Sequence, residues 1–247
     1  MIIFDDISKT YAKELFTPGK TALAHLSFTL PKGQTLGLIG ANGAGKSTTI
    51  RLLMDFIRPD NGRIKLFHTS PKNILVRKKI GYLPETTNFP PNLNILSLLK
   101  FTATSCNVPT SLFENRCRQW LNKLALWEAR KQPLRTYSKG MQQRANFALA
   151  LINNPDLLIL DEPMSGLDPM GRAAIIQLIL QLKKEGKTIL FCSHILNDVD
   201  KLVDNILLLH KGKKIFYGTP KELTIQEKKD SIEDAFVSIV SREEQHE

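Results

Sequence analysis

The stretch GANGAGKS, residues 40–47, decides the fold of this 247-residue chain because it fits the phosphate-loop pattern G-x4-G-K-S. It follows the apolar run TLGLI and opens the helix-like run STTIRLLMDFI, residues 47–57, which is the context that the pattern requires. Its glycines allow a sharp turn that aims backbone N–H groups at an anion. Lys46 adds a cation for the outer phosphates, and Ser47 adds a hydroxyl ligand for Mg²⁺. The stretch predicts nucleotide binding, and the simpler alternative is a glycine-rich turn.

Apolar strands and helices alternate around this loop, which predicts an α/β fold with a P-loop NTPase core and a mostly parallel sheet. Residues 1–40 contain strand-like runs separated by turn signals, and antiparallel β strands are expected at the N-terminus. Residues 92–132 have helical spacing of their apolar residues, so an inserted helical subdomain is expected at about 88–153. The main domain is then residues 1–220, and residues 221–247 form a helical tail.

Composition sets broad limits on the function. The net charge is +10, which suits nucleotides, nucleic acid or an anionic membrane surface without choosing among them. No apolar run approaches the roughly 18 residues of a membrane span, and the N-terminus lacks the pattern of a signal peptide. We expect a soluble intracellular chain. The 3 cysteines have no metal-ligand spacing and are expected to be free thiols.

Two further strands end in polar side chains. The apolar run LLIL is followed by Asp161 and Glu162, at the strand end where parallel sheets bind ligands. Asp161 suits Mg²⁺, and Glu162 suits the task of polarising an attacking water. The next strand-like run ends in FCSH, so His194 is placed to donate a hydrogen bond to a terminal phosphate. A polar turn and a surface histidine are the simpler alternatives.

These motifs occur with YSKGMQQR and SGLDP in the order and spacing of ATP-binding cassette (ABC) transporter ATPases, which the chain resembles over residues 1–220. The form SKGM resembles the branch of bacterial drug, sodium and polysaccharide exporters. The resemblance implies ATP and Mg²⁺ as cofactors. It implies nucleotide contacts from one continuous segment, which comprises Gly40, Asn42, Gly43, Ala44, Gly45, Lys46, Ser47 and Thr48.

The resemblance also assigns residues outside the phosphate loop. Tyr11 matches an aromatic residue that stacks on adenine. Ser138 and Gly140 match the signature segment, which in this family faces the ATP held by a second subunit. Asp168, in SGLDP, matches a segment that couples the two sites. Glu85 stands where the family usually has glutamine; it keeps an oxygen ligand for Mg²⁺ but loses an amide donor.

The resemblance implies a subunit that pairs with a second ABC ATPase and with integral membrane permease subunits. Residues 86–99, TTNFPPNLNILSLL, are expected to contribute to the groove that grips the permease. The chain would lie peripherally on the cytoplasmic face of a bacterial inner membrane, with no nucleic acid partner. A soluble ATPase acting on nucleic acid or ribosomes is the rival class. A small-molecule kinase would leave YSKGMQQR and SGLDP without a role.

Overall fold

The computed structural model describes residues 1–12, 19–86, 88–193 and 196–245, and the chain divides into two compact units. The first unit combines Met1–Val76 with Thr188–Glu247, and the second is Arg77–Lys187. The unit boundary falls within the short helix α2. In chain order, the elements up to that helix are β1 (Ile2–Tyr11), β2 (Lys20–Leu30), β3 (Thr35–Ile39), α1 (Lys46–Leu53), β4 (Asn61–Leu66) and α2 (Ile74–Arg77).

The rest of the chain supplies both units. The second unit contains β5 (Ile80–Leu83), α3 (Ile95–Ser105), α4 (Thr110–Lys123), a 3₁₀ turn (Leu134–Thr136), α5 (Lys139–Leu151), β6 (Leu157–Asp161) and α6 (Pro169–Lys184). The first unit is completed by β7 (Thr188–Cys192), α7 (Leu196–Leu202), β8 (Asn205–His210), β9 (Lys213–Gly218), α8 (Pro220–Glu227) and α9 (Ile232–Gln245).

An antiparallel sheet in the order β2-β1-β4 confirms the predicted N-terminal strands. Ile2, Phe4 and Ile7 of β1 are buried, and Phe4 stacks on Phe28 of β2 with ring centroids 4.6 Å apart. At the far end of this pair, Tyr11 lies opposite Lys20. Directly opposed residues project to the same face of a sheet, so the pairing brings these two side chains together.

In the first unit, the phosphate loop follows β3, which pairs with strands other than those of the β2-β1-β4 sheet. Strand β3 lies between β7 and β8 and runs parallel to both, and β9 closes the order β7-β3-β8-β9 as an antiparallel edge. All five residues of β3 and of β7 are buried. Burial on both faces explains why these strands are continuously apolar rather than alternating.

The tail helices are joined by a buried ion pair. Glu227, whose side chain is only 2% exposed, accepts hydrogen bonds from both terminal nitrogens of Arg242 at 3.2 and 2.9 Å. The Ser238 hydroxyl adds a third bond at 3.1 Å. A buried carboxylate needs such partners because leaving it unpaired is costly. This pair therefore fixes α9 against the end of α8.

The second unit is a parallel strand pair with helices between its strands. Strands β5 and β6 run parallel, and the chain between them forms α3, α4 and α5. Gly81 in β5 permits close packing of α5, because a Cβ there would lie 2.1 Å from the Ala150 carbonyl oxygen. The helices predicted in this part of the chain are thus present, whereas the exact subdomain limits stay a prediction.

Some boundaries differ from the predicted ones. The helix after the phosphate loop was expected to continue to about residue 57, but α1 ends at Leu53. Asp55 takes a left-handed conformation with φ 56°, and this breaks the helical backbone. Helix α2 was not predicted. The three cysteines are free, as expected, and burial raises the pKa of the Cys117 thiol.

Candidate functional site

The phosphate loop joins β3 to α1 through a backbone that requires glycine. Gly45 is the N-cap of α1 and has φ 112°, in the left-handed region. A Cβ there would also lie 2.7 Å from Leu23 Cδ2 and 2.8 Å from the Ala22 carbonyl oxygen. The loop therefore turns directly into a helix N-terminus, whose free N–H groups and dipole favour an anion.

The turn between β8 and β9 supports the phosphate loop through backbone contacts. The Gly212 N–H donates to the Ala44 carbonyl oxygen at 3.0 Å, and the Ala24 N–H donates to the Gly212 carbonyl at 2.9 Å. A Cβ on Gly40 would lie 2.4 Å from the Leu209 carbonyl oxygen. Sequence reasoning missed this support, because the contacts are made by backbone atoms.

Lys46 lies across its own loop. Its ammonium donates to the carbonyl oxygens of Gly40 at 2.6 Å and Ala41 at 3.2 Å. Position 46 opens α1, and Thr49 in the next part of the helix donates its hydroxyl to the Gly45 carbonyl at 3.0 Å. The cation is therefore held within the loop, where the phosphate-loop pattern places it.

The structure brings Tyr11 to the phosphate loop. The Tyr11 hydroxyl lies 3.4 Å from Thr48 Oγ1. A cavity of about 190 Å³ is bounded by Tyr11 and by phosphate-loop residues, together with two residues of β2; its lining comprises Tyr11, Lys20, Ala22, Asn42, Gly43, Gly45, Lys46, Ser47 and Thr48. An aromatic ring, cations and a helix N-terminus thus surround one space, which suits a nucleotide.

Asp161 and Glu162 lie at the end of β6 in the second unit. Asp161 is the last strand residue and is buried, and Glu162 follows with φ 49°, a left-handed conformation that is unusual for a residue other than glycine. Such strain is stored preferentially at functional sites. The turn directs the chain out of the strand immediately after the buried carboxylate.

Gln143 holds this turn and was not singled out by the sequence. Its side chain is buried in α5, and its amide nitrogen donates to the carbonyl oxygens of Glu162 at 3.3 Å and Pro163 at 2.9 Å. The Gln143 side chain of α5, the helix that begins in the signature segment, therefore fixes the backbone that carries Glu162.

We expect Gln143→Met to lower ATPase turnover about fivefold while ATP affinity stays within about twofold, because one anchoring hydrogen bond is worth about 1 kcal/mol. Phosphate-release kinetics and nucleotide titration would separate the two quantities. Gln119→Met, at an exposed position of α4, is the matched control. An equal loss of affinity and turnover, or no loss of either, would contradict the positioning role.

The signature segment and SGLDP line one cavity of about 870 Å³ within the second unit. Ser138 caps α5 by accepting a bond from the Met141 N–H at 3.2 Å. Asp168 caps α6 by accepting one from the Gly171 N–H at 2.9 Å. Both caps and Gly140 border the cavity. Ser138 therefore acts as an N-cap of α5. Ser138 and Asp168 are both exposed, and both lie on the surface of this cavity.

The remaining predicted residues have different outcomes. Arg144, the last residue of YSKGMQQR, donates to the Leu124 carbonyl at 3.0 Å and to the Gly140 carbonyl at 3.3 Å, so it makes structural contacts within the second unit. Glu85 is exposed in the turn after β5. His194 lies outside the described residues, and the buried Ser193 precedes it.

The comparisons with known proteins identify the family. Residues 23–165 match the ABC transporter family. The chain is 39% identical over 226 residues to an uncharacterized ABC transporter ATP-binding protein of Nostoc sp., covering 90% of this chain and 68% of that protein. It is 35% identical over 210 residues to the Nod factor export ATP-binding protein I of Ralstonia nicotianae, covering 84% of this chain and 65% of that one.

Solved structures agree in fold. A solved ATP-binding subunit of an ABC transporter aligns with a TM-score of 0.89 at 27% identity, covering 97% of this chain and 99% of that chain. The dimeric cassette MJ0796, from an ABC transporter, aligns with a TM-score of 0.80 at 25% identity, covering 89% and 98%. These likenesses confirm the predicted fold class. The chain belongs to the ABC transporter family. Within that family it is an ATP-binding subunit, and therefore an ATPase.

Proposed function

We propose that this chain is the ATPase of an exporter, in which two ATPase subunits bind two ATP molecules and drive transport through separate membrane subunits. One observation carries the proposal: the cavity shared by Ser138, Gly140 and Asp168. A small-molecule kinase would leave this second set of helix caps without a role, whereas its exposure suits the nucleotide of another subunit. The dimeric structure of the MJ0796 cassette and the export role in the name of the Ralstonia relative support the proposal.

The geometry of the phosphate-loop half supports the roles that we propose for its residues. Tyr11 stacks on the adenine, and the backbone N–H groups of the loop and the Lys46 ammonium bind the phosphates. Closure of two such sites places Ser138 and Gly140 of one subunit against the terminal phosphate held by the other. Asp168, as the cap of α6, couples the two sites. The energy of ATP binding then favours the closed pair, and hydrolysis allows it to reopen.

Glu162 is proposed as the general base that polarises the attacking water, and His194 as a hydrogen-bond donor to the terminal phosphate. Mg²⁺ fits the donor set, because Ser47, Glu85 and Asp161 offer the hard oxygen ligands that it prefers. In the part of the chain that the structure describes, no three His, Cys, Asp or Glu side chains could hold a metal ion together. That suits an ion shared with phosphates. Bound Mg²⁺ would neutralise charge that develops on the phosphates.

The permease-binding surface is proposed to include apolar side chains of the second unit. Leu93, between β5 and α3, is 42% exposed, and Phe101 of α3 is 72% exposed. Leu93 lies in the segment 86–99 that the resemblance assigns to permease contact, and Phe101 lies two residues after that segment. Exposed apolar side chains of this kind suit the docking of a cytoplasmic helix. Within the described ranges, no helix is long and apolar enough to cross a bilayer. By its resemblance to the family, the chain is proposed to be peripheral on the cytoplasmic face of a membrane. Residues 1–220 are proposed as the ATPase domain, about 88–153 as its helical subdomain and 221–247 as a tail.

Affinity purification from gently solubilised native membranes tests this function. We expect a multi-span membrane protein in stoichiometric amount. Phe101→Asp should lose that protein while it retains ATP binding, and Leu112→Asp, at another exposed apolar position of the second unit, should keep it. Recovery of ribosomes or nucleic acid without any membrane protein would overturn the proposal and favour the soluble ATPase class.

A further inference from the structure

Lys20 is a second cation beside the phosphate loop, and no motif includes it. It is the first residue of β2 and lies directly opposite Tyr11 of β1. Opposed residues of an antiparallel pair project to the same face. The β1–β2 pairing therefore carries Lys20 to the same place as the aromatic residue that is proposed to stack on adenine.

The position of its ammonium is defined by Gly43. The Lys20 Nζ lies 3.5 Å from the point that a Cβ on Gly43 would occupy, so the charge lies over the middle of the phosphate loop. Gly43 has φ 81°, in the left-handed region, and presents no side chain that would shield this charge from the loop. Any anion lying along the loop N–H groups comes within reach of the Lys20 ammonium.

Two cavities meet at this side chain. Lys20 lines the cavity of about 190 Å³ that also contains Lys46 and Ser47. It also lines a neighbouring cavity of about 330 Å³, together with Asn42 and Glu244. The phosphate loop separates the two spaces, and the exposed Lys20 side chain borders both.

The charges favour an anion with more than one phosphate. Lys46 supplies one cation from within the loop, and Lys20 supplies a second from the strand beside it. Opposite charges near a protein surface attract one another appreciably at about 4 Å, although solvent and salt weaken the attraction. A polyphosphate chain offers several anionic oxygens, so different phosphates can meet the two cations.

We propose that Lys20 contacts the phosphate chain of ATP, as a binding residue additional to the phosphate loop. The inference rests on nucleotide binding at that loop, as set out under the proposed function. Because Lys20 is exposed, its contribution is that of a solvent-screened ion pair. It raises nucleotide affinity and takes no part in the cleavage of the terminal phosphate.

The test is an ATP titration of the full chain at about 50 mM and about 500 mM salt. Lys20→Met is expected to weaken ATP binding about three- to tenfold at the lower salt concentration, and the difference from wild type should shrink at the higher one. Lys20→Arg should bind ATP within about twofold of wild type, because it retains the cation. Lys32→Met, at an exposed lysine of the β2–β3 turn that lines neither cavity, should match wild type.

Three results would overturn the inference: wild-type affinity in Lys20→Met at the lower salt, equal losses in the arginine and methionine variants, or a loss that salt leaves unchanged. Lys46→Ala, measured alongside, separates this failure from a failure of the proposed function. If wild type bound ATP no more tightly than Lys46→Ala, the phosphate-loop assignment itself would be wrong. If only Lys46→Ala weakened binding, the loop would stand and the role of Lys20 would fall.

Discussion

Lys46→Ala is expected to lower ATPase turnover at least about a hundredfold and to weaken ATP binding, because it removes the cation held inside the phosphate loop. The ammonium donates to the Gly40 and Ala41 carbonyls, so it is already placed over the loop rather than extended into solvent. A hundredfold loss corresponds to about 2.7 kcal/mol of transition-state stabilisation. Phosphate release and nucleotide titration give the two quantities directly.

The fold is expected to survive this change. Gly45 still caps α1, and the Gly212 N–H still donates to the Ala44 carbonyl, so the loop backbone keeps its support. Thermal unfolding should therefore shift by only a few degrees. Lys72→Ala, at an exposed lysine elsewhere in the first unit, should leave turnover and affinity unchanged. Normal turnover in Lys46→Ala would remove the phosphate loop from the chemistry.

Glu162→Gln is expected to bind ATP normally and to hydrolyse it about a hundred- to a thousandfold more slowly, because the amide retains the shape of the carboxylate but cannot accept a proton. The buried Asp161 and the Gln143 bonds to the turn are untouched, so the backbone should keep its conformation. With hydrolysis blocked, ATP should also promote pairing of two chains, which sedimentation would detect.

The matched control is Glu114→Gln, at an exposed position of α4 in the same unit, which should behave as wild type. Two results would count against Glu162 as the base. One is wild-type turnover in the glutamine variant, and the other is a loss of ATP binding equal to the loss of turnover. The second would indicate a binding role instead.

The sequence predicted the order of strands and helices because both leave periodic apolar patterns. It could not supply the register between distant segments. Tyr11 and Lys20 pair across a stretch that carries no strand pattern, so the sequence did not predict that the Lys20 cation lies beside the phosphate loop. The early end of α1 was missed as well, because the left-handed Asp55 lies in an apolar run that continues the helical period.

The residues of the candidate site likewise fall into a group that the sequence predicted and a group that it did not. Phosphate-loop residues and strand-end carboxylates were predicted because their chemistry restricts residue type and spacing. The supports were not predicted. Gly212 acts through its backbone atoms, which every residue possesses, and Gln143 bonds to carbonyl oxygens about twenty positions away. Nothing in the local pattern around either residue identifies its distant partner.

The pairing of β3 has a consequence for synthesis of the chain. Thr35 pairs with Ile189 and Leu36 with Asn205, so both neighbours of the phosphate-loop strand are translated long after it. The segment Arg77–Lys187 is continuous and is complete before those neighbours emerge from the ribosome. Long-range pairing is slow, and unpaired apolar strands favour aggregation. The nascent chain therefore carries an unpaired β3 for most of its translation, and the strand that leads into the phosphate loop gains its neighbours only after β7 and β8 have been made.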